Sequence, residues 1–190
     1  MLNLILFGPP GAGKGTQADI IIKKFDLIHL STGELLRSQI EAETELGLEA
    51  KVYIEKGFLV ADSIVISMIQ SKLAENKAAL GFIFDGFPRT VAQAKALDEL
   101  LNENGTPVSG MLCLSVEKEE LINRLSNRAK TSGRPDDQDV SIIENRIRIY
   151  HEKTEPLRDY YKAQDKYFRI DGKGSVEEIS KRLIDTITSL

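Results

Sequence analysis

Leu2-Asn-Leu-Ile-Leu-Phe7, then Gly8-Pro-Pro-Gly-Ala-Gly-Lys-Gly-Thr16, then the amphipathic run from Gln17 to Phe25 follow one another without a break. They read as an apolar strand, a glycine-rich turn and a helix. Glycine lacks a Cβ and tolerates positive φ, so such a turn can wrap closely round an anion. The N–H groups of the turn and of the helix start offer partial positive charge to a phosphate. Lys14 adds a full charge. The spacing Gly8-x4-Gly13-Lys14 fits the P-loop pattern, which asks for Ser or Thr directly after the lysine. Here Gly15 takes that place and Thr16 stands one residue later. Whether Thr16 holds a metal, as that hydroxyl does in the standard pattern, is therefore open.

Working outward, further apolar runs occur at Leu27 to Leu30, Phe82 to Phe84, Gly110 to Val116 and Tyr167 to Ile170. Helical patterns lie between them. Continuously apolar strands alternating with helices predict a five-stranded parallel sheet with helices on both faces, an α/β fold of three layers. Two helices, one capped by Ser31 or Thr32 with Glu34 in a capping box and one around Leu46 to Lys56, are expected between strands two and three. A simple crossover needs one. The surplus, about residues 31–60, reads as a small helical insertion near the strand ends, where such sheets bind ligands. Asp62 or Ser63 is expected to cap the next helix. Pro156 is expected to kink or end the helix that begins near Asp139.

Composition narrows the function. The 190 residues suit one ordinary domain, and the net charge of −4 argues against a general nucleic-acid binder. The single cysteine, Cys113, excludes an intrachain disulfide and a cysteine-cluster zinc site. Its apolar neighbours predict a buried structural thiol. The apolar N-terminus lacks a basic n-region and runs straight into Gly8, as a buried strand does and a signal peptide does not. No apolar run is long enough for a membrane span. A cytoplasmic setting is expected. His29 and His151 have no ligand-spaced or nucleophilic partner in sequence and read as structural.

The third strand ends in Phe84-Asp-Gly-Phe-Pro-Arg-Thr90. A carboxylate at the end of a buried strand beside a P-loop strand suits magnesium held through its waters, so Asp85 is the metal candidate. Arg89 is expected at the sheet's C-terminal edge, with Gln93 on the same helical face. Arg124 and Arg128 share a face of the helix after strand four. Arg134 lies in a Gly/Pro-bearing loop, and Arg146 and Arg148 follow on the next helix. A phosphate cradle, a metal carboxylate and several arginines point to phosphoryl transfer. An acceptor that is itself a phosphate needs no strong base. Its oxygen is already an anion, and the barrier comes from charge repulsion and positioning, which arginines answer. Arginine abundance without an obvious base therefore points to a nucleotide monophosphate acceptor.

The segments Gly8 to Gln17, Leu30-Ser-Thr-Gly-Glu-Leu-Leu-Arg37, Phe84 to Thr90 and Gly133-Arg-Pro-Asp-Asp137 together resemble the adenylate kinase family, in order and spacing, across essentially the whole chain. The resemblance implies a single P-loop kinase domain over residues 1–190, with residues 31–60 as the NMP-binding insertion. Residues 129–139 would be a short lid without the cysteine cluster of some long-lid members. It implies reversible transfer from MgATP to AMP, giving two ADP. Gly11, Ala12, Gly13, Lys14, Gly15 and Thr16 would hold the ATP phosphates, with Lys14 following the transferred group and Gly174 near the ATP adenine. Asp85 would order magnesium waters. Thr32 and Phe58-Leu59-Val60 would frame the AMP adenosine, with Gly86, Phe87 and Pro88 along that pocket. Arg37 and Arg89 would grip the AMP phosphate and Gln93 would read adenine. Arg124 and Arg128 would face ATP, while Arg134 and Arg146 lie nearer AMP and the transferred group. Arg146 is preferred to Arg148 because it stands four before Tyr150-His151. Magnesium without zinc, nucleotide ligands without nucleic acid or membrane, and a monomer complete the expectation. A UMP/CMP kinase of the same fold is the nearest rival. Those enzymes usually carry Ala and Asn where this chain has Thr32 and Thr90. A non-catalytic nucleotide-binding module is the rival of a different class.

Overall fold

The computed structural model describes residues 1–132, 134–137 and 139–190. Five parallel strands form one sheet: β1 (Leu2–Phe7), β2 (Ile28–Ser31), β3 (Gly81–Asp85), β4 (Gly110–Ser115) and β5 (Tyr167–Asp171), in the order β2-β3-β1-β4-β5. β1 is central, and from Leu4 onward its residues are apolar on both sides. Leu4 and Leu6 face one layer, with Ala18, Ile21, Leu183 and Ile187. Ile5 and Phe7 face the other, with Ile69, Leu97 and Tyr161. Both faces are thus dry, which is why Leu4–Phe7 of β1, Phe82–Phe84 of β3 and Met111–Leu114 of β4 read as continuous apolar runs, while the buried Asn3 amide donates to the Thr106 carbonyl.

Helix α1 (Lys14–Phe25) packs on one face. It starts at Lys14, three residues before the expected Gln17, so the lysine itself belongs to the helix N-terminus. At its other end Asp26 takes a left-handed conformation and the Leu27 N–H bonds back to Ile22. That cap keeps Leu27 out of β2, which begins one residue later than expected.

Three helices separate β2 from β3: α2 (Thr32–Glu41) and α3 (Glu45–Ile54), which make up the insertion, and α4 (Asp62–Glu75), the helix expected from Asp62 or Ser63. Ser31 caps α2 through the Glu34 N–H, whereas the full reciprocal capping box occurs at Ser175 and Glu178. Asp62 does not cap α4. Ala61 holds that position without a side-chain bond, and the Asp62 carboxylate turns to Thr90 and Gln93.

Next come α5 (Val91–Glu103), capped by Thr90, and α6 (Lys118–Ser132). A short 3-10 turn (Pro135–Asp137) leads to α7 (Val140–Ile149), capped by Asp139. A π turn (Tyr150–Thr154) continues α7 and ends before Pro156, which opens α8 (Leu157–Lys162). Proline has no N–H and cannot extend a helix that precedes it. The final helix, α9 (Val176–Thr188), buries Ile179, Leu183 and Ile187 against α1 and the sheet. Val176, expected inward with them, is 41% exposed because it opens the helix at the sheet's rim. Cys113 is buried, as its neighbours require.

Candidate active site

The C-terminal ends of β1 and β3 lie side by side, and the loops that leave them form one wall of a cleft of about 530 Å³. The P-loop leaves β1. Gly8 is indispensable for space: a Cβ there would stand 2.9 Å from the Leu114 carbonyl. Gly13 has φ +92° and serves as the N-cap of α1 without a side chain to satisfy the helix N–H groups. The first turn of α1 also carries no acidic residue. Its N–H groups and dipole are left for an anion. Lys14 folds back over the loop, donating from Nζ to the Gly8 carbonyl at 2.9 Å and the Pro9 carbonyl at 3.0 Å. Burial, with Arg89, Arg146 and Arg128 nearby, lowers its pKa to about 8 despite the opposing pull of Asp85.

Asp85 ends β3 and borders the cleft opposite the start of α1. Burial disfavours its charge, but His29 and Lys14 outweigh it and hold the carboxyl below the usual carboxylate range. His29 was expected to be structural. It sits on β2 with Nε2 3.7 Å from Asp85 Oδ2, and that nitrogen has no hydrogen-bond partner among the described residues. Burial works against its charge, yet Asp85 raises its pKa above the ordinary imidazole value. The pair joins residues 29 and 85, which only strand pairing brings together.

Arginines from five separate segments meet in the same cleft: Arg37 on α2, Arg89 before α5, Arg124 and Arg128 on α6, Arg134 before the 3-10 turn and Arg146 on α7. Burial first, then Arg146, lowers the pKa of Arg89, and burial and Arg37 do so for Arg134. Like charges are thus held close, a state that bound phosphates would relieve. Asp137 offsets part of the repulsion. Its side chain accepts from Arg128 Nε and Nη2 at 2.6 and 2.8 Å, and from Arg146 Nη1 at 2.6 Å. Asp136 adds a second ion pair to Arg146 at 3.0 Å. Sequence reading missed this role. The acidic pair beside Arg134 was the available signal. Arg148 instead pairs with Glu152 on the surface.

Thr32, Phe58, Leu59, Val60, Gly86 and Gln93 also line the cleft. Thr32 Oγ1 donates to the Gly86 carbonyl at 2.9 Å, tying α2 to the β3 loop. Arg89 and Gln93 do not share a helical face, because Arg89 precedes α5. They meet through the Arg89 N–H, which donates to Gln93 Oε1 at 2.7 Å.

Several expected residues lie elsewhere. Ala12 is buried behind the loop, and the Phe87 side chain packs into the core beside Phe84. Phe87 and Pro88 border a smaller adjoining cavity of about 80 Å³. Gly174 stands outside the cleft lining, over the Glu178 side chain. Nearby, Arg124 Nη2 donates to the Gly172 carbonyl at 3.1 Å. Within the expected lid, Gly133 and Gln138 lie outside the described residues.

Among the described residues no group of three or more His, Cys, Asp or Glu could hold a metal ion. One ionised carboxylate facing a phosphate loop still fits magnesium, which keeps most of its waters and shares phosphate oxygens. Fold and cleft together define a P-loop phosphotransferase.

The family model described as adenylate kinase matches residues 6–166. The adenylate kinase of Parabacteroides distasonis is 52% identical over 190 residues, all of both chains. That of Flavobacterium psychrophilum is 49% identical, again over all of both chains. That of Leptospira biflexa is 48% identical over 98% of this chain and all of its own. The chain belongs to the adenylate kinase family.

Proposed function

We propose that this chain catalyses the reversible transfer of a phosphoryl group from MgATP to AMP, giving two ADP. The observation that carries this is one continuous cleft. It joins Lys14 and the α1 N-terminus to Arg37, Arg89 and the Thr32–Gln93 pocket. A donor polyphosphate belongs on the loop from Gly11 to Thr16. The acceptor phosphate belongs between Arg37 and Arg89, with its base near Gln93 and its adenosine against Thr32 and residues 58–60. An acceptor phosphate oxygen then forms a bond to the γ-phosphorus while the β,γ-bridging bond breaks, and the electron pair leaves on the donor's β-phosphate. Lys14, Arg128, Arg134 and Arg146 stabilise the charge spread over the transferred group. Asp85 would hold magnesium through water, and that ion would neutralise phosphate charge. Residues 31–60 act as the acceptor arm and 129–139 as a short lid, both closing to exclude water. Among the described residues no helix is long and apolar enough to cross a membrane. We place the enzyme in the cytoplasm as a monomer.

Rates with MgATP and AMP, UMP, CMP or GMP test the acceptor. AMP should exceed each of the others by about 10²-fold in kcat/KM, since a base-edge mismatch leaves buried polar groups unpaired. Faster turnover of UMP would refute the assignment.

Proton linkage tests the donor site. Lys14 is charged below its pKa of about 8 and neutral above it. A bound polyphosphate favours the ammonium form and raises that pKa. MgATP binding should therefore take up a fraction of a proton above about pH 8, and its affinity should fall as pH rises through that window. Calorimetry in two buffers of different ionisation enthalpy reads the uptake. No uptake at about pH 8.5 would mean that Lys14 does not meet the phosphates.

A further inference from the structure

The Gln93 carboxamide is held at both ends. Oε1 accepts from the Arg89 backbone N–H at 2.7 Å, and Nε2 donates to Asp62 Oδ1 at 2.7 Å. The partners identify the two atoms, because an N–H can only donate and a carboxylate oxygen accepts. Each partner is itself fixed. Asp62 Oδ2 accepts from Thr90 Oγ1 at 2.8 Å, and Thr90 Oγ1 accepts from the Gln93 N–H at 3.2 Å. The Arg89 carbonyl accepts from Thr154 Oγ1 at 2.9 Å. Gln93 is 2% exposed, so water cannot readily replace these partners.

We propose that Asp62 is a specificity-determining positioning residue, which makes the acceptor pocket take a 6-aminopurine nucleotide and refuse a 6-oxopurine one. This rests on the reading that Gln93 faces the acceptor base. A carboxamide has a second N–H and a second lone pair. One of each remains at Gln93 for a ligand. Adenine offers a donor at its 6-amino group and an acceptor at N1. Hypoxanthine offers the reverse, an acceptor at the 6-oxo group and a donor at N1. An unrestrained glutamine turns over end for end and serves either edge. Here the turned amide would set Nε2 against the Arg89 N–H and Oε1 against the Asp62 carboxylate. Two hydrogen bonds would become a donor–donor and an acceptor–acceptor clash in a buried place, one of them at a charged partner. Asp62 lies 31 positions before Gln93 and reaches it from the first turn of α4. It touches the reader of the base rather than the base.

The test compares kcat/KM for AMP and IMP, with MgATP as donor, in the parent enzyme and in Asp62→Asn, Asp62→Ala and Gln93→Met. Thermal denaturation confirms that each variant is folded. Asp62→Asn keeps the shape but can present either an oxygen or an amide to Gln93. The AMP-to-IMP ratio should fall by about tenfold, the worth of one net hydrogen-bond preference. IMP should gain, and the loss for AMP should appear in KM more than in kcat. Asp62→Ala should shift the ratio the same way. If the ratio is unchanged in both Asp62 variants but falls in Gln93→Met, the orienting role of Asp62 is overturned and Gln93 remains the base reader. If Gln93→Met also leaves it unchanged, the reading beneath is overturned. A loss for AMP with no gain for IMP in either Asp62 variant would mean that Asp62 only supports the fold, and would overturn the proposal as well.

Discussion

Lys14→Met should lower kcat/KM for phosphoryl transfer by about 10³-fold or more, while the protein melts no lower than its parent. The first half follows from geometry. Nζ is held at 2.9 and 3.0 Å from two loop carbonyls, so the ammonium is already placed over the cradle before a phosphate arrives. Preorganised charge of this kind acts without reorganisation at the moment of transfer, and removing one such donor typically costs about 10²–10³-fold. A full charge at the transferred group belongs at or above the upper end of that range. The second half follows from the pKa. Lys14 titrates near 8 rather than 10.5, so the folded state holds its charged form reluctantly, chiefly because of burial. A base whose folded pKa is lowered costs stability wherever the unfolded chain holds it charged: in full below about pH 8, fading to nothing as pH rises to 10.5. Methionine removes that cost and keeps the stem. Steady-state kinetics and thermal denaturation at pH 7 check both halves. Retained activity would remove Lys14 from the mechanism, and a lower melting temperature would show that its carbonyl contacts stabilise the fold.

The contrast between those halves reflects how the site is built. Its cations are crowded, and two aspartates in the turn after α6 partly neutralise them. Asp137 contacts Arg128 and Arg146 together, bridging α6 and α7. The same arginines are proposed to meet phosphates, so Asp137 occupies their donors as an anion would. Its pKa is lowered by the two arginines against the opposing effect of burial.

What could be read from the chain depended on distance along it. β1, the P-loop and α1 were legible because the apolar run, the glycines and the lysine are contiguous. β3 and β4 were legible because strands buried on both faces leave a continuous apolar signal. Element ends were less clear. Leu27 looks like a strand residue, but the left-handed Asp26 bonds it into the α1 cap. Arg124, Arg128, Arg134, Arg146 and Arg148 were legible as a set, since five arginines at separated places near loops at one end of the sheet need a shared reason, although Arg148 turned to the surface. Their partners were not. His29 and Asp85 face each other across paired strands, and Asp62 meets Gln93 only after α4 and α5 are packed. Neither pair leaves a local pattern, because a carboxylate at a helix start is equally consistent with a cap. At the start of α4 either Asp62 or Ser63 fits a cap by sequence, yet Ala61 holds that position and the Asp62 side chain bonds Thr90 and Gln93.

Arg89→Lys should lower kcat/KM for AMP by about 10²-fold or more, with little change in MgATP binding measured without AMP. Lysine keeps the charge, so the loss isolates geometry. Arg89 is braced at three points. Its N–H donates to Gln93, its carbonyl accepts from Thr154, and its Nε donates to the Gly86 carbonyl at 2.7 Å. With Nε so engaged, the guanidinium plane is set and its terminal nitrogens form the edge that can grip a phosphate with two parallel bonds. A lysine ammonium cannot bond the Gly86 carbonyl and present a planar pair to the acceptor at the same time. A donor misplaced by about 1 Å can cost about 10²-fold on its own. Because the acceptor oxygen must lie in line with the breaking bond, the loss should appear in kcat as well as in KM. Kinetics with varied AMP, and calorimetry with MgATP alone, separate the two sites. A variant within threefold of its parent, roughly the effect of a loosely solvated surface charge, would mean that Arg89 does not grip the acceptor phosphate.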